Sequence, residues 1–161
     1  MRILGIDPGL VRTGYGLIEA AGPDKIIFLE AGVIKTKEAD GISKRVKSIY
    51  ENLTDIVKEY KPAVLVLEKI YSHCKHPVTS ILMGHARGIV CLVCGINKIQ
   101  LASYPSTRIK KAITGNGRAG KGQIQRMVKS FLNLKELPEP FDASDALAMA
   151  ISYVYIEGVK K

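Results

Sequence analysis

Four carboxylates in this chain occupy places from which a fold can bring them together. Asp7 ends a short apolar run, Arg2 to Asp7 (RILGID), and Glu68 ends another, Ala63 to Leu67. If these runs are neighbouring strands, both acids emerge at one sheet edge, where open α/β sheets bind ligands. Asp142 and Asp145 stand three apart at the start of a helix-like segment and so share a face. Each acid also has a plainer explanation. Charged residues often end strands at exposed edges, and an N-cap Asp142 with Asp145 three residues on resembles a capping box favoured by the helix dipole. Taken as one site, carboxylates only a few Å apart repel and protonate unless a cation offsets them, and hard oxygen ligands suit Mg2+ or Mn2+. One or two such ions activate a water and stabilise the leaving oxygen in phosphodiester cleavage.

The charge balance supplies a substrate for that chemistry. The 161 residues include 24 Lys and Arg against 15 Asp and Glu, a net charge of +9. From Lys69 to Lys135 there is no acid at all, and half of the basic residues lie there. The body is thus slightly acidic and its central segment basic. That is the footprint of a polyanion partner, nucleic acid before an anionic membrane surface. A basic solubilising face is the bland reading of the same charges.

The elements that must position these groups follow from punctuation and periodicity. Arg2 to Asp7 is closed by the Pro8-Gly9 turn, and runs from Gly14 to Glu19 and from Lys25 to Ile34 flank Gly22-Pro23-Asp24, so three antiparallel strands come first. Ser43 reads as an N-cap for a helix whose Val46, Ile49, Tyr50, Leu53, Ile56 and Val57 recur at helical spacing. The all-apolar strand at Ala63 to Leu67 is buried on both faces and interior to the sheet. Val78 to Cys94 is a helix with small residues at Gly84, Ala86 and Gly88 and an apolar second half, either deeply buried or part of a subunit interface. Ile99 to Ala102 is a brief strand, Pro105 to Ile113 a basic helix, and Thr114 to Gly120 a glycine-rich loop. Lys121 to Leu132 and Phe141 to Glu157 are the last two helices. The sum is one α/β domain over residues 1–161, a mixed sheet flanked by helices. No apolar run reaches the roughly 18 residues of a membrane span, Met1 leads straight into a strand, and three cysteines (Cys74, Cys91, Cys94) make no disulfide framework. A soluble cytoplasmic protein is the expectation.

Several segments together carry a resemblance. Gly5 to Gly9 (GIDPG), Thr13 to Gly16 (TGYG), Val66-Leu67-Glu68, Gly84 to Gly88 (GHARG), Ile109-Lys110-Lys111, Lys121 and Asp142 to Ala148 (DASDALA) are similar, in order and spacing, to the RuvC Holliday junction resolvases. The resemblance covers nearly the whole chain. It implies an RNase H-like fold, a homodimer, and Mg2+-dependent nicking of two symmetric strands of a four-way DNA junction, with Mn2+ substituting. By position, Asp7, Glu68, Asp142 and Asp145 match the acidic metal-binding and catalytic positions. Lys121 matches a lysine important for cleavage, where a cation stabilises charge developing on the phosphate. Lys110 matches a DNA-facing lysine, and Tyr71 the place of an aromatic that stacks on junction bases. Arg87, Lys111 and Arg118 are further candidate DNA contacts. A branch-migration motor of the RuvA and RuvB type is the implied partner. Lys69 stands where Gln is expected, Tyr71 replaces Phe, and Tyr153 sits where many members have His.

Other readings compete. Gly115 to Lys121 approaches a phosphate-binding loop, but Gly122 replaces the Mg2+-holding Ser or Thr and a basic helix precedes it. A flexible loop exposing Arg118 and Lys121 to a phosphate backbone accounts for the same residues. His73, His76, Cys91 and Cys94 invite a zinc site, though the two cysteines lie in an apolar helical run. Sugar kinase and actin-like domains share a similar opening but need two such domains. An RNase H-like nuclease of the YqgF type acting on RNA would lack the long basic segment and the small-residue helix. A junction binder without enzymatic activity would carry four repulsive acids to no purpose.

Overall fold

The computed structural model describes residues 1–69 and 77–159. In chain order the elements are β1 (Arg2–Asp7), β2 (Arg12–Ala20), β3 (Ile26–Lys35), α1 (Ile42–Tyr60), β4 (Val64–Glu68), α2 (Pro77–Asn97), β5 (Gln100–Tyr104), α3 (Ser106–Thr114), α4 (Lys121–Phe131) and α5 (Phe141–Glu157). The strands form one sheet ordered β3-β2-β1-β4-β5. β1, β2 and β3 pair antiparallel, whereas β1, β4 and β5 run parallel, which is the mixed RNase H-like sheet the sequence implies.

Side-chain alternation along the strands builds two cores. Leu4 and Ile6 of β1 and Leu65 and Leu67 of β4 join Ile49, Leu53 and Val57 of α1 and Val90 and Val93 of α2. Ile3, Val64 and Val66 face the other way, onto Ile109, Ile124, Val128 and the apolar length of α5. Asp7 continues the odd-numbered face of β1 and Glu68 the even-numbered face of β4, so both strand-end acids fall on the α5 side.

α5 sits unusually close because the sheet beneath it lacks side chains. A Cβ on Gly5 would overlap the carbonyl oxygen of Ala146 and lie 2.9 Å from the amide nitrogen of Ala150. One on Gly14, the register partner of Asp7, would overlap the carbonyl of Asp142. α5 meets this floor with Ala143, Ala146 and Ala150, all buried, and its all-round apolar character is that of an interior helix.

Several local expectations are corrected. Ser43 is not the N-cap: Gly41 is, its carbonyl accepting from the amides of Lys44 and Arg45, so Ser43 lies inside the first turn. β2 begins at Arg12 because its pairing with β3 extends to Arg12↔Lys35. β5 runs to Tyr104, its pairing with β4 extending to Glu68↔Tyr104. The capping box at α5 is absent, since Pro140 is the N-cap and no side chain caps the helix. The limit on apolar runs also needs revision. Val78–Asn97 is long and apolar enough to cross a membrane by length and composition, because Gly84, His85, Arg87 and Gly88 dilute its hydropathy too little. In the fold, Ala86, Val90, Val93 and Cys94 of that helix are buried, while Val78, Ile81, Leu92 and Ile96 are exposed.

Gly5→Ala tests the close approach of α5. Overpacking against rigid backbone should cost about 2–3 kcal/mol in urea denaturation; a loss under about 0.5 kcal/mol would mean that α5 does not need the glycine floor.

Candidate active site

The parallel pairing of β1 with β4, with Ile6 opposite Leu67, sets Asp7 and Glu68 side by side at the strand ends. α5 descends over the same edge and contributes Asp145 from its first turns. Asp7, Glu68 and Asp145 line one cleft of about 310 Å³ together with Ser106 and Lys110 of α3 and Lys121, the first residue of α4. Three acids from three elements and two lysines from two more thus share one hollow.

The acids feel one another. Burial, then the charges of Asp145, Asp142 and Glu68, push the Asp7 carboxyl up to about 6, against the partial relief of Lys121. Glu68 is raised mainly by burial, opposed by a hydrogen bond from Ser106 and the charge of Lys110. Asp145 is raised by burial too, with Lys121 opposing. Such a set suits a hard divalent cation, which would supply the charge the two lysines only partly supply. Among the described residues, however, no three acidic, His or Cys side chains are already gathered closely enough to hold an ion. Asp142 stands apart from the other three acids. It does not line the cleft; its Oδ2 accepts a 2.7 Å hydrogen bond from Nε of Arg12.

The remaining candidates fall into distinct places. Lys110 lines the cleft, but Lys111, one residue on, lines a separate hollow with Arg108 and Tyr155. Arg118 is exposed in the loop after α3, its amide donating to Asn116 Oδ1 at 2.9 Å. That loop follows a helix, as the rejection of a phosphate-binding loop required. Arg87 is half-buried, its guanidinium donating to the Glu68 carbonyl at 2.6 Å and to Ser103 Oγ at 3.2 Å, so it braces the ends of β4 and β5. Tyr153, the departure from His, is buried against the ring of Tyr104 with centroids 6.5 Å apart. Tyr71, and the His73 and His76 half of the zinc reading, lie outside the described residues; Cys91 is exposed and Cys94 buried. Sequence reasoning missed Arg12, Ser106 and the bracing role of Arg87. Ser106 had a local signal in its place at a helix start beside the strand edge, whereas the other two contacts are purely tertiary.

A raised acid costs stability once ionised. For Asp7 that cost is absent below about pH 4, grows as pH rises toward about 6, and is full above it, on the order of 3 kcal/mol. Asp7→Asn should therefore be more stable than wild type in denaturant at pH 7.5 without divalent ions, the gain shrinking toward pH 4. An equal difference at both pH values would show that charge crowding is not its source.

Comparisons with known proteins agree on one family. The family model described as crossover junction endodeoxyribonuclease RuvC matches residues 3–153. A protein of that name from Rhodopirellula baltica is 44% identical over 154 residues, covering 96% of this chain and 86% of its own. Another from Pseudothermotoga lettingae is 37% identical over 161 residues, covering 100% and 98%. The structure of T. thermophilus RuvC in complex with a Holliday junction substrate superposes with a TM-score of 0.92 at 27% identity, covering 98% of this chain and 94% of that one. The yeast mitochondrial Holliday junction resolvase, at 13% identity and a TM-score of 0.65, shares the fold. With a matching family model across most of its length and relatives of that name above one-third identity, this chain belongs to the RuvC family of crossover junction endodeoxyribonucleases.

Proposed function

We propose that this chain, as a single domain, is a structure-specific endonuclease that resolves four-way DNA junctions by paired, symmetric nicks in recombination and repair. The observation that carries this reading is the meeting of Asp7, Glu68 and Asp145 with Lys110 and Lys121 in one cleft. Asp7, Glu68 and Asp145, joined by Asp142, are the residues to hold Mg2+, or Mn2+ in its place, as one or two ions per site. Bound there, the ions supply an activated water and charge stabilisation at the phosphate. The chain's own part is positional. β1, β4 and α5 aim their acids from rigid elements, Lys121 faces the non-bridging oxygens from the start of α4, and Ser106 and Arg87 fix the Glu68 side chain and backbone. Lys110, Lys111 and Arg118 grip the DNA backbone, and Tyr71 provides a stacking surface.

Symmetric nicks need two equivalent sites related by a two-fold axis. The homodimer uses α2, whose Val78, Ile81, Leu92 and Ile96 are exposed apolar residues, while Ala86, Val90, Val93 and Cys94 of the same helix pack into the core. A cytoplasmic location and a RuvA and RuvB type branch-migration complex complete the assignment.

Asp7→Asn should abolish cleavage of a synthetic four-way junction in Mg2+ while leaving junction binding intact or tighter. Lys121→Ala should slow the nicking step on the order of 10²-fold with little change in affinity, whereas Lys111→Ala and Arg118→Ala should weaken binding and reduce its salt slope by about 1 each. Cleavage by Asp7→Asn at the wild-type rate would reject the metal-site assignment. Leu92→Glu should convert a dimer seen by sedimentation at micromolar concentration into monomer; a wild-type monomer under those conditions would remove α2 as the interface.

A further inference from the structure

Among the described residues, Asp142 is the only one of the four acids held in an ion pair, and its partner is a residue with no part in the metal reading. Arg12 opens β2, Asp142 lies in the first turn of α5, and 130 positions of sequence separate them. The close packing of Gly14 on the Asp142 carbonyl fixes the backbone of Asp142 beside β2. Its Oδ2 meets Nε of Arg12, while Asp145, three residues on along α5, lines the cleft with Asp7 and Glu68.

Guanidinium and metal ion offer the same thing to that carboxylate, a positive charge and a directed contact to oxygen. Each therefore weakens the other's hold on the same carboxylate. The side chains of Arg12 and Asp142 are 43% and 33% exposed, so the pair is screened by water and salt and opens readily. We infer that Arg12 is a positioning residue that competes with the divalent ion for Asp142, holding this carboxylate at the rim of the cleft until the ion draws it in. The inference rests on the proposed metal-dependent reading of the cleft. It gives the site three acids that face the cleft from the outset and a fourth that is added on loading. Arg12 also keeps the uncompensated negative charge at the strand edge lower in the ion-free protein.

Mn2+ binding to the intact protein without DNA, read from the loss of the free-ion electron paramagnetic resonance signal, tests this directly. Arg12→Gln should tighten Mn2+ binding about threefold to fivefold, the range set by an exposed ion pair. Arg12→Lys, which keeps the charge, should stay within about twofold of wild type. In an Asp142→Asn background, Arg12→Gln should change the affinity by less than about 1.5-fold, because the competitor then has nothing to withhold. Unchanged or weaker Mn2+ binding by Arg12→Gln would overturn the inference, and so would an equal gain in the Asp142→Asn background, which would mark a general charge effect. Wild-type protein that binds no Mn2+ at millimolar concentration would instead reject the metal reading itself.

Discussion

Repulsion among carboxylates is the constraint around which this molecule is arranged. Water would keep Asp7, Glu68, Asp142 and Asp145 apart, yet the backbone delivers them to one edge from β1, β4 and α5. Asp7, half-buried and surrounded by the other three, is pushed up to about 6. Lys110, Lys121 and Arg12 offset part of the charge, each from a different element. None is placed to neutralise the whole group. A fold that holds acids in this way sacrifices stability at neutral pH, and a divalent cation bound there would recover it.

The scaffold that enforces this is a matter of where side chains are missing. Gly5 and Gly14 let α5 lie on β1 and β2 at a distance that any Cβ would prevent. That approach places Asp142 and Asp145 over the end of β1. The parallel β1–β4 pairing places Glu68 beside Asp7, and Arg87 reaches from α2 to brace the last carbonyl of β4. The same helix presents exposed apolar residues on its outer side. The element that supports Glu68 from behind is thus also the one whose outer side is apolar and exposed.

Much of this was legible from the residues alone, for reasons that can be named. Asp7 is followed by Pro8-Gly9 and Glu68 ends a run of apolar residues, so both could be placed at strand ends from local chemistry. That β1 and β4 are neighbours, and that strand parity puts both acids on the α5 face, emerged only in the fold. Asp142 and Asp145 declared a shared helical face by spacing, but not whether that face served as a cap; Pro140 at the N-cap decides it. Arg87 reads as a phosphate contact because it lies in a basic segment, and its bonds to the Glu68 carbonyl and Ser103 carried no signal in the sequence. Arg12 gave no signal, since its partner lies 130 residues away and only the glycine floor brings them together. Helix α2 shows the limit of hydropathy, which registers an apolar helix without separating the side that fills a core from the side that meets a partner.

Anomalous diffraction from crystals of this protein grown with Mn2+ tests, without reference to activity, whether the acids of β1, β4 and α5 form one cation site. The expected result is a peak in the cleft, coordinated by Asp7 and by at least one of Glu68 and Asp145. A well-ordered cleft with no anomalous peak at saturating Mn2+, or Mn2+ bound only at other acids, would contradict it.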